Sequence, residues 1–167
     1  METSVDAVKA LRSLTGAGIM DCKTALEASG GDMGKAEEIL KEKGIASAKS
    51  KSTRETNQGL VESYIHSGGL MGAMVEVNCE TDFVARTPEF KELAHDIAMQ
   101  VVAMAPLYVD SSDIPDGEDH NPQEACLLQQ TFIKDDAKSV QDLVNEAVAK
   151  LGENVRVRRF ARFSIGE

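Results

Sequence analysis

Between positions 71 and 80 the chain alternates. Met71, Ala73, Val75, Val77 and Cys79 share one parity, and Gly72, Met74, Glu76, Asn78 and Glu80 share the other. A period of two over this length predicts a half-buried β-strand with the first set turned inward. The alternation stops at Cys79, where Thr81-Asp82-Phe83-Val84 follows. Thr87 and Pro88 then read as N-cap and first residue of a helix. That helix carries Phe90, Leu93, Ala94, Ile97, Ala98 and Val101 at helical spacing, and Pro106 ends it. Phe83 therefore sits on a short, stiff connection between a strand and a helix, where one side chain can be presented outward. A Phe just past a strand, taken by itself, is a core residue more often than an exposed one.

Three short amphipathic helices are predicted over residues 4–44. Ser4 caps the first, with Val5, Val8, Leu11 and Leu14 along one face. The second buries Ile19, Cys22, Ala25 and Leu26. Asp32 caps the third, with Ala36, Ile39 and Leu40, and Gly44 is expected to end it. The polar stretch 46–58 either prolongs the third helix or runs free, and it reads as a linker. A strand at residues 60–66 and the turn Ser67-Gly68-Gly69 complete a β-hairpin with the strand ending at Cys79. Residues 110–124 form an acidic, turn-rich loop. Ser139 and Asp142 resemble a capping box for a helix bearing Val140, Leu143, Val144, Ala147, Val148 and Leu151, closed by Gly152. In the last strand, residues 155–165, Val155, Val157, Ala161, Phe163 and Ile165 are set against Arg156, Arg158, Phe160 and Arg162. The expected class is α+β: a three-helix module, then a strand–strand–helices–strand core with a small antiparallel sheet covered on one face.

Charge narrows the function. The net charge is −10, and it is uneven: residues 1–56 hold nine acids and nine bases, residues 57–150 seventeen acids and five bases. An acidic body lacks the clustered cations that release counterions from nucleic acid, so a protein partner is the better expectation. Arg156, Arg158, Arg159 and Arg162 are expected to pair with the acidic domain. No run of 18 apolar residues and no signal peptide is apparent, and Met1 reads as the native start. Cys22, Cys79 and Cys126 have no Cys or His at metal-ligand spacing, which points to a reducing cytoplasm and to no metal site or cofactor. A thiol enzyme would need Cys79 near His66, but Cys79 shares the inward parity of its strand, as free Cys commonly does. Catalysis is unsupported.

At this point three long motifs resemble one family. Asn78-Cys79-Glu80-Thr81-Asp82-Phe83-Val84-Ala85, the run Thr15-Gly16-Ala17-Gly18-Ile19-Met20-Asp21-Cys22-Lys23 with Ala25 and Leu26, and the run from Gly152 to Phe160 are similar to bacterial elongation factor Ts. The resemblance implies a guanine-nucleotide exchange factor for the GTPase elongation factor Tu, acting by binding and not by bond chemistry. It implies a ubiquitin-associated-like docking domain over residues 1–52 and an α+β core of the dimerisation type over residues 53–167. Arg12, Ile19 and Met20 match its docking contacts. Thr81, Asp82, Phe83 and Val84 match an element that dislodges Mg²⁺ from the partner's nucleotide site. The chain departs from many relatives in having only residues 110–126 where they carry a longer helical segment. It also has a single core unit, so a homodimer in a 2:2 complex is expected, with no direct nucleic-acid or membrane contact.

Overall fold

The computed structural model describes residues 4–167, so the Met1 start lies outside the described residues. Three helices open the chain: α1 (Val5–Thr15), α2 (Ile19–Ala28) and α3 (Met33–Lys51). Ser4 and Asp32 cap α1 and α3 by accepting the Asp6 and Lys35 N–H groups at 3.2 and 3.1 Å. Leu11, Cys22, Ala25, Leu26 and Ala36 form a small buried cluster, with Val8, Ile39 and Leu40 packed around it. Val5, Leu14 and Ile19, expected on buried faces, are instead exposed. Three short helices close around one small centre, and these residues fall on the flanks of their stripes.

Helix α3 departs furthest from expectation. Gly44 does not end it; the helix runs on to Lys51, and the stretch read as a linker is helical over its first six residues. Gly44 is buried against helix α7 (Val140–Leu151), 3.7 Å separating its missing methyl position from Ala149 Cβ. Packing against α7 outweighs the roughly 1 kcal/mol by which an internal Gly disfavours a helix.

The core sheet is antiparallel in the order β1-β2-β5, formed by β1 (Gln58–Ile65), β2 (Met71–Cys79) and β5 (Val155–Ser164). Ala73, Val75, Val77 and Cys79 of β2 are buried, as their parity requires. They pack on α5 (Pro88–Met104) and α7, with Phe90, Ile97, Val101, Val140, Val144 and Val148. A two-stranded hairpin, β3 (Thr131–Phe132) with β4 (Asp135–Ser139), was not apparent in the sequence. Gln100 explains its attachment. Fully buried, it donates from Nε2 to Gln130 Oε1 and the Thr131 carbonyl, and its Oε1 accepts the Ile133 N–H at 2.9 Å. The acidic loop contains a turn of 3-10 helix at Ser111–Asp113 and the one-turn helix α6 (Pro122–Ala125).

Strand β5 changes parity midway. Glu76 pairs with Arg159 and Val77 with Val157, so Arg158 is an extra residue and a β-bulge. Val155 and Val157 face the core before the bulge. After it Phe160 and Arg162 do, while Ala161, Phe163 and Ile165 turn to the open face. The even alternation expected along this strand is therefore broken.

Candidate partner-binding site

Strand β2 ends at Cys79, and the chain reverses into α4 (Asp82–Ala85), a single helical turn. Thr81 is its N-cap in extended conformation, its hydroxyl accepting the Val84 N–H at 3.4 Å. Arg86 and Thr87 lead directly into α5, whose first turn Thr87 caps by accepting the Phe90 N–H at 3.2 Å. Phe83 projects from this turn 79% exposed, more than any other large apolar residue described. The core placement that its position after a strand favours does not hold here. Ala85 supplies the buried side of the turn, leaving Phe83 no inward direction. Asp82 is ion-paired with Arg86 at 2.8 Å, and Val84 is half-buried against the main core.

The turn is held from a distant part of the chain. Glu153, just after α7, accepts the Glu80 and Thr81 N–H groups on one carboxylate oxygen at 3.1 and 3.0 Å, and the Thr81 hydroxyl on the other at 2.6 Å. In return, Glu80 accepts the Asn154 N–H at 2.6 Å. Asn154, itself buried, donates to the Arg54 carbonyl at 2.9 Å and the Ser52 carbonyl at 3.4 Å. Sequence reasoning named no role for Glu153 or Asn154. The only available signal was that both lie in the third motif, beside the Gly that closes α7.

Cys79 Sγ points inward and donates to the Thr81 carbonyl at 3.1 Å. Burial, with Glu153 nearby, pushes this thiol up to about 11. Register places Cys79 opposite Gln58, whereas His66 lies past Ile65 at the hairpin's far end. The two cannot form a catalytic pair. Among the described residues no group of three or more His, Cys, Asp or Glu could hold a metal ion, and no helix is long and apolar enough to cross a membrane.

The other candidate residues lie on the three-helix end. Gly16, left-handed at φ 68°, stops α1, and Gly18 starts α2. Ile19 and Met20 open α2, 56% and 68% exposed, and Arg12 is exposed on the last turn of α1. Together with Leu14 they give this end an apolar, partly cationic surface. On β5, Arg159 donates to Glu76 at 2.7 Å and Arg158 lies 3.8 Å from it. The Arg159 hydrogen bond holds the Glu76 carboxyl below its ordinary range. Arg162 pairs with Glu167. These arginines are thus partly engaged within the protein.

Comparison with known proteins identifies the family. The family described as elongation factor TS matches residues 35–119 and 118–167, two stretches that meet in the acidic loop. Elongation factor Ts of Thermotoga petrophila is 49% identical over 195 aligned positions, covering 100% of this chain and 98% of that protein. The Thermotoga maritima protein gives the same figures. Elongation factor Ts of Coprothermobacter proteolyticus is 46% identical over 197 positions, spanning both chains completely. Each alignment is longer than the 167 residues of this chain, so these relatives carry residues that it lacks. With both family stretches and near-complete coverage of the relatives, the chain belongs to the elongation factor Ts family.

Proposed function

We propose that this chain is the guanine-nucleotide exchange factor for elongation factor Tu in translation elongation. It binds the GDP-bound GTPase, disturbs its Mg²⁺ and phosphate contacts through residues 81–84, and so promotes GDP release. No covalent step is involved. The observation that carries the reading is Phe83, a large apolar side chain held out into solvent by a braced turn. Such exposure costs hydration free energy unless a partner covers it. Full burial of a Phe is worth roughly 1.5–3 kcal/mol. About four-fifths of that remains to be gained on binding, which is about one to two decades of affinity. If the gain arises only in the nucleotide-poor state, nucleotide must weaken exchange-factor binding by the same factor. Larger accelerations need the docking contacts and the partner's lost Mg²⁺ interactions as well. Asp82 carries negative charge into the same region.

Residues 1–52 form the docking unit in this reading, with Arg12, Ile19 and Met20 as contacts, and residues 53–167 the core. The separate buried clusters of the two parts support that division. We infer further that two copies pair through the open face of the sheet. Val61, Ile65, Met74 and Phe163 are exposed there beside Leu70 and Ile165, an apolar surface on a face that no element among the described residues covers. The acidic charge and the three buried free thiols support a cytoplasmic protein that engages proteins and not nucleic acid or membrane.

The test is release of a fluorescent GDP analogue from elongation factor Tu. Wild type should accelerate release strongly, and Phe83→Ala should lose at least tenfold of that while melting at the wild-type temperature. Unchanged acceleration by the variant would move the mechanism to the docking residues, and no acceleration by wild type would overturn the reading. Sedimentation of Phe163→Glu against wild type tests the pairing: a shift from dimer to monomer is expected.

A further inference from the structure

The four-residue helix α4 is far too short to hold its shape alone, since helices below about 12 residues are marginal in water. Phe83 contributes nothing to its own placement, being almost wholly exposed. Its position is set by the backbone on either side. On the C-terminal side the capped start of α5 provides a fixed point. On the N-terminal side the ladder has already ended at Cys79, and the next two N–H groups, of Glu80 and Thr81, have no strand or helix partner.

We propose that Glu153 is a positioning residue for Phe83, holding the turn at residues 80–84 in the conformation that presents the ring to the partner. This rests on the exchange reading above. One carboxylate receives three donors, the two otherwise unpartnered N–H groups and the Thr81 hydroxyl. The hydroxyl gives its hydrogen to that 2.6 Å bond, which orients its lone pairs to accept the Val84 N–H. The residues flanking Phe83 are thereby tied to one side chain. Glu153 is in turn fixed at both ends. Gly152, left-handed at φ 77°, closes α7 immediately before it, and Asn154 after it is clasped by Glu80 and by the carbonyls of Ser52 and Arg54. The clasp thus connects three separate points: the end of α3, the turn after α7 and the turn bearing Phe83. Glu153 is half-buried, and its three bonds go to the Glu80 and Thr81 N–H groups and the Thr81 hydroxyl, neither residue being a member of the apolar cluster that holds the core together. Loss of Glu153 should therefore free the turn without unfolding the domain.

The experiment compares wild type, Phe83→Ala, Glu153→Ala, Glu153→Gln and the Phe83→Ala/Glu153→Ala double variant. Release of the fluorescent GDP analogue from elongation factor Tu is followed over a range of exchange-factor concentrations, and amide hydrogen exchange is measured at Glu80 and Thr81. Glu153→Ala should lower the saturating release rate by at least tenfold and move the half-saturating concentration less than threefold. It should cost nothing further in the Phe83→Ala background, because the two act through one ring. Thr81 should exchange at least a hundredfold faster. Glu153→Gln, whose amide oxygen can still accept both N–H groups, should recover part of the rate and of the protection. Losses that multiply in the double variant, or unchanged protection at Thr81, would overturn the proposal. If wild type itself releases no analogue, the exchange reading falls, and hydrogen exchange alone decides the clasp: faster exchange in Glu153→Ala upholds it, unchanged exchange overturns it.

Discussion

Two glycines offer the same substitution with opposite outcomes. At Gly59 in β1, φ is 149°, and an added Cβ would lie 2.1 Å from the Val77 carbonyl oxygen and 2.8 Å from Asn78 Cα. Both are backbone atoms of the paired strand, so the methyl cannot be accommodated by a rotamer change. Restoring ordinary contact needs about 1 Å of separation, enough to break ladder hydrogen bonds near 2.9 Å. Backbone strain of roughly 1–3 kcal/mol adds to about 0.5–1.5 kcal/mol for each of two lost bonds. Gly59→Ala should thus destabilise by about 2–6 kcal/mol. At Gly44 the added methyl would meet Ala149 Cβ at 3.7 Å and the Asn145 carbonyl oxygen at 3.9 Å, which are normal contacts. Helix propensity favours Ala there by about 0.8–1 kcal/mol, so Gly44→Ala should stabilise by about that much. At roughly 2–4 °C per kcal/mol, melting should fall by about 5–20 °C for the first and rise by about 2–4 °C for the second. Urea unfolding with unchanged slope would show that both act on the native state. A neutral Gly59→Ala would refute the β1–β2 register, and a Gly44→Ala protein destabilised by more than about 1 kcal/mol would refute the spacing of α3 and α7.

The remaining predictions concern the capped start of α7 and the buried Cys79 thiol. Burial pushes the Asp142 carboxyl up, but the Ser139 N–H and hydroxyl and the Lys41 charge outweigh it and leave it below its ordinary range. A depressed carboxyl stabilises the fold above its unfolded value near about 3.9, and that contribution fades as pH falls through the lower folded value. Asp142→Asn should therefore lower melting at pH 7 and approach wild type in strong acid; a gap independent of pH would contradict this. Ser139→Ala removes the cap from the other side and should cost about 0.5–2 kcal/mol by urea unfolding. Cys79, with its thiol near 11, should resist iodoacetamide at pH 8 in the folded protein and react in urea. Rapid labelling of native Cys79 would show that it is not buried.

Much of this architecture is legible in local patterns. The inward set of β2 and the capping box at Ser139 follow from spacing alone, because each is decided within a few residues. Three features were not accessible in that way. The parity of β5 changes at Arg158, and a bulge depends on which residues the neighbouring strand offers. Gly44 carries the local signature of a helix end, but its surroundings are set by α7, a hundred residues later. Phe83 has ambiguous local context, and its exposure is decided by Ala85 taking the inward position and by Glu153 bracing the turn. Motif resemblance pointed to residues 81–84, yet the carboxylate that holds them is an interaction across 72 residues of sequence.

The uninterrupted course of α3 sets a distance. Nineteen residues at about 1.5 Å each make a strut of about 28 Å, with Met33 in the N-terminal cluster and Ala48 against the main core. A flexible tether over residues 46–58 would have let the two ends wander over about 20 Å. With a strut, the second contact on a partner occurs at a fixed separation from the first, and little rotational freedom remains to be lost when both are made. In the proposed two-point grip the effective local concentration of Phe83 is then governed by helix geometry. Lengthening α3 by one or two residues would rotate as well as extend it, so the second contact should be more sensitive to such insertions than to any change in the surface of the helix.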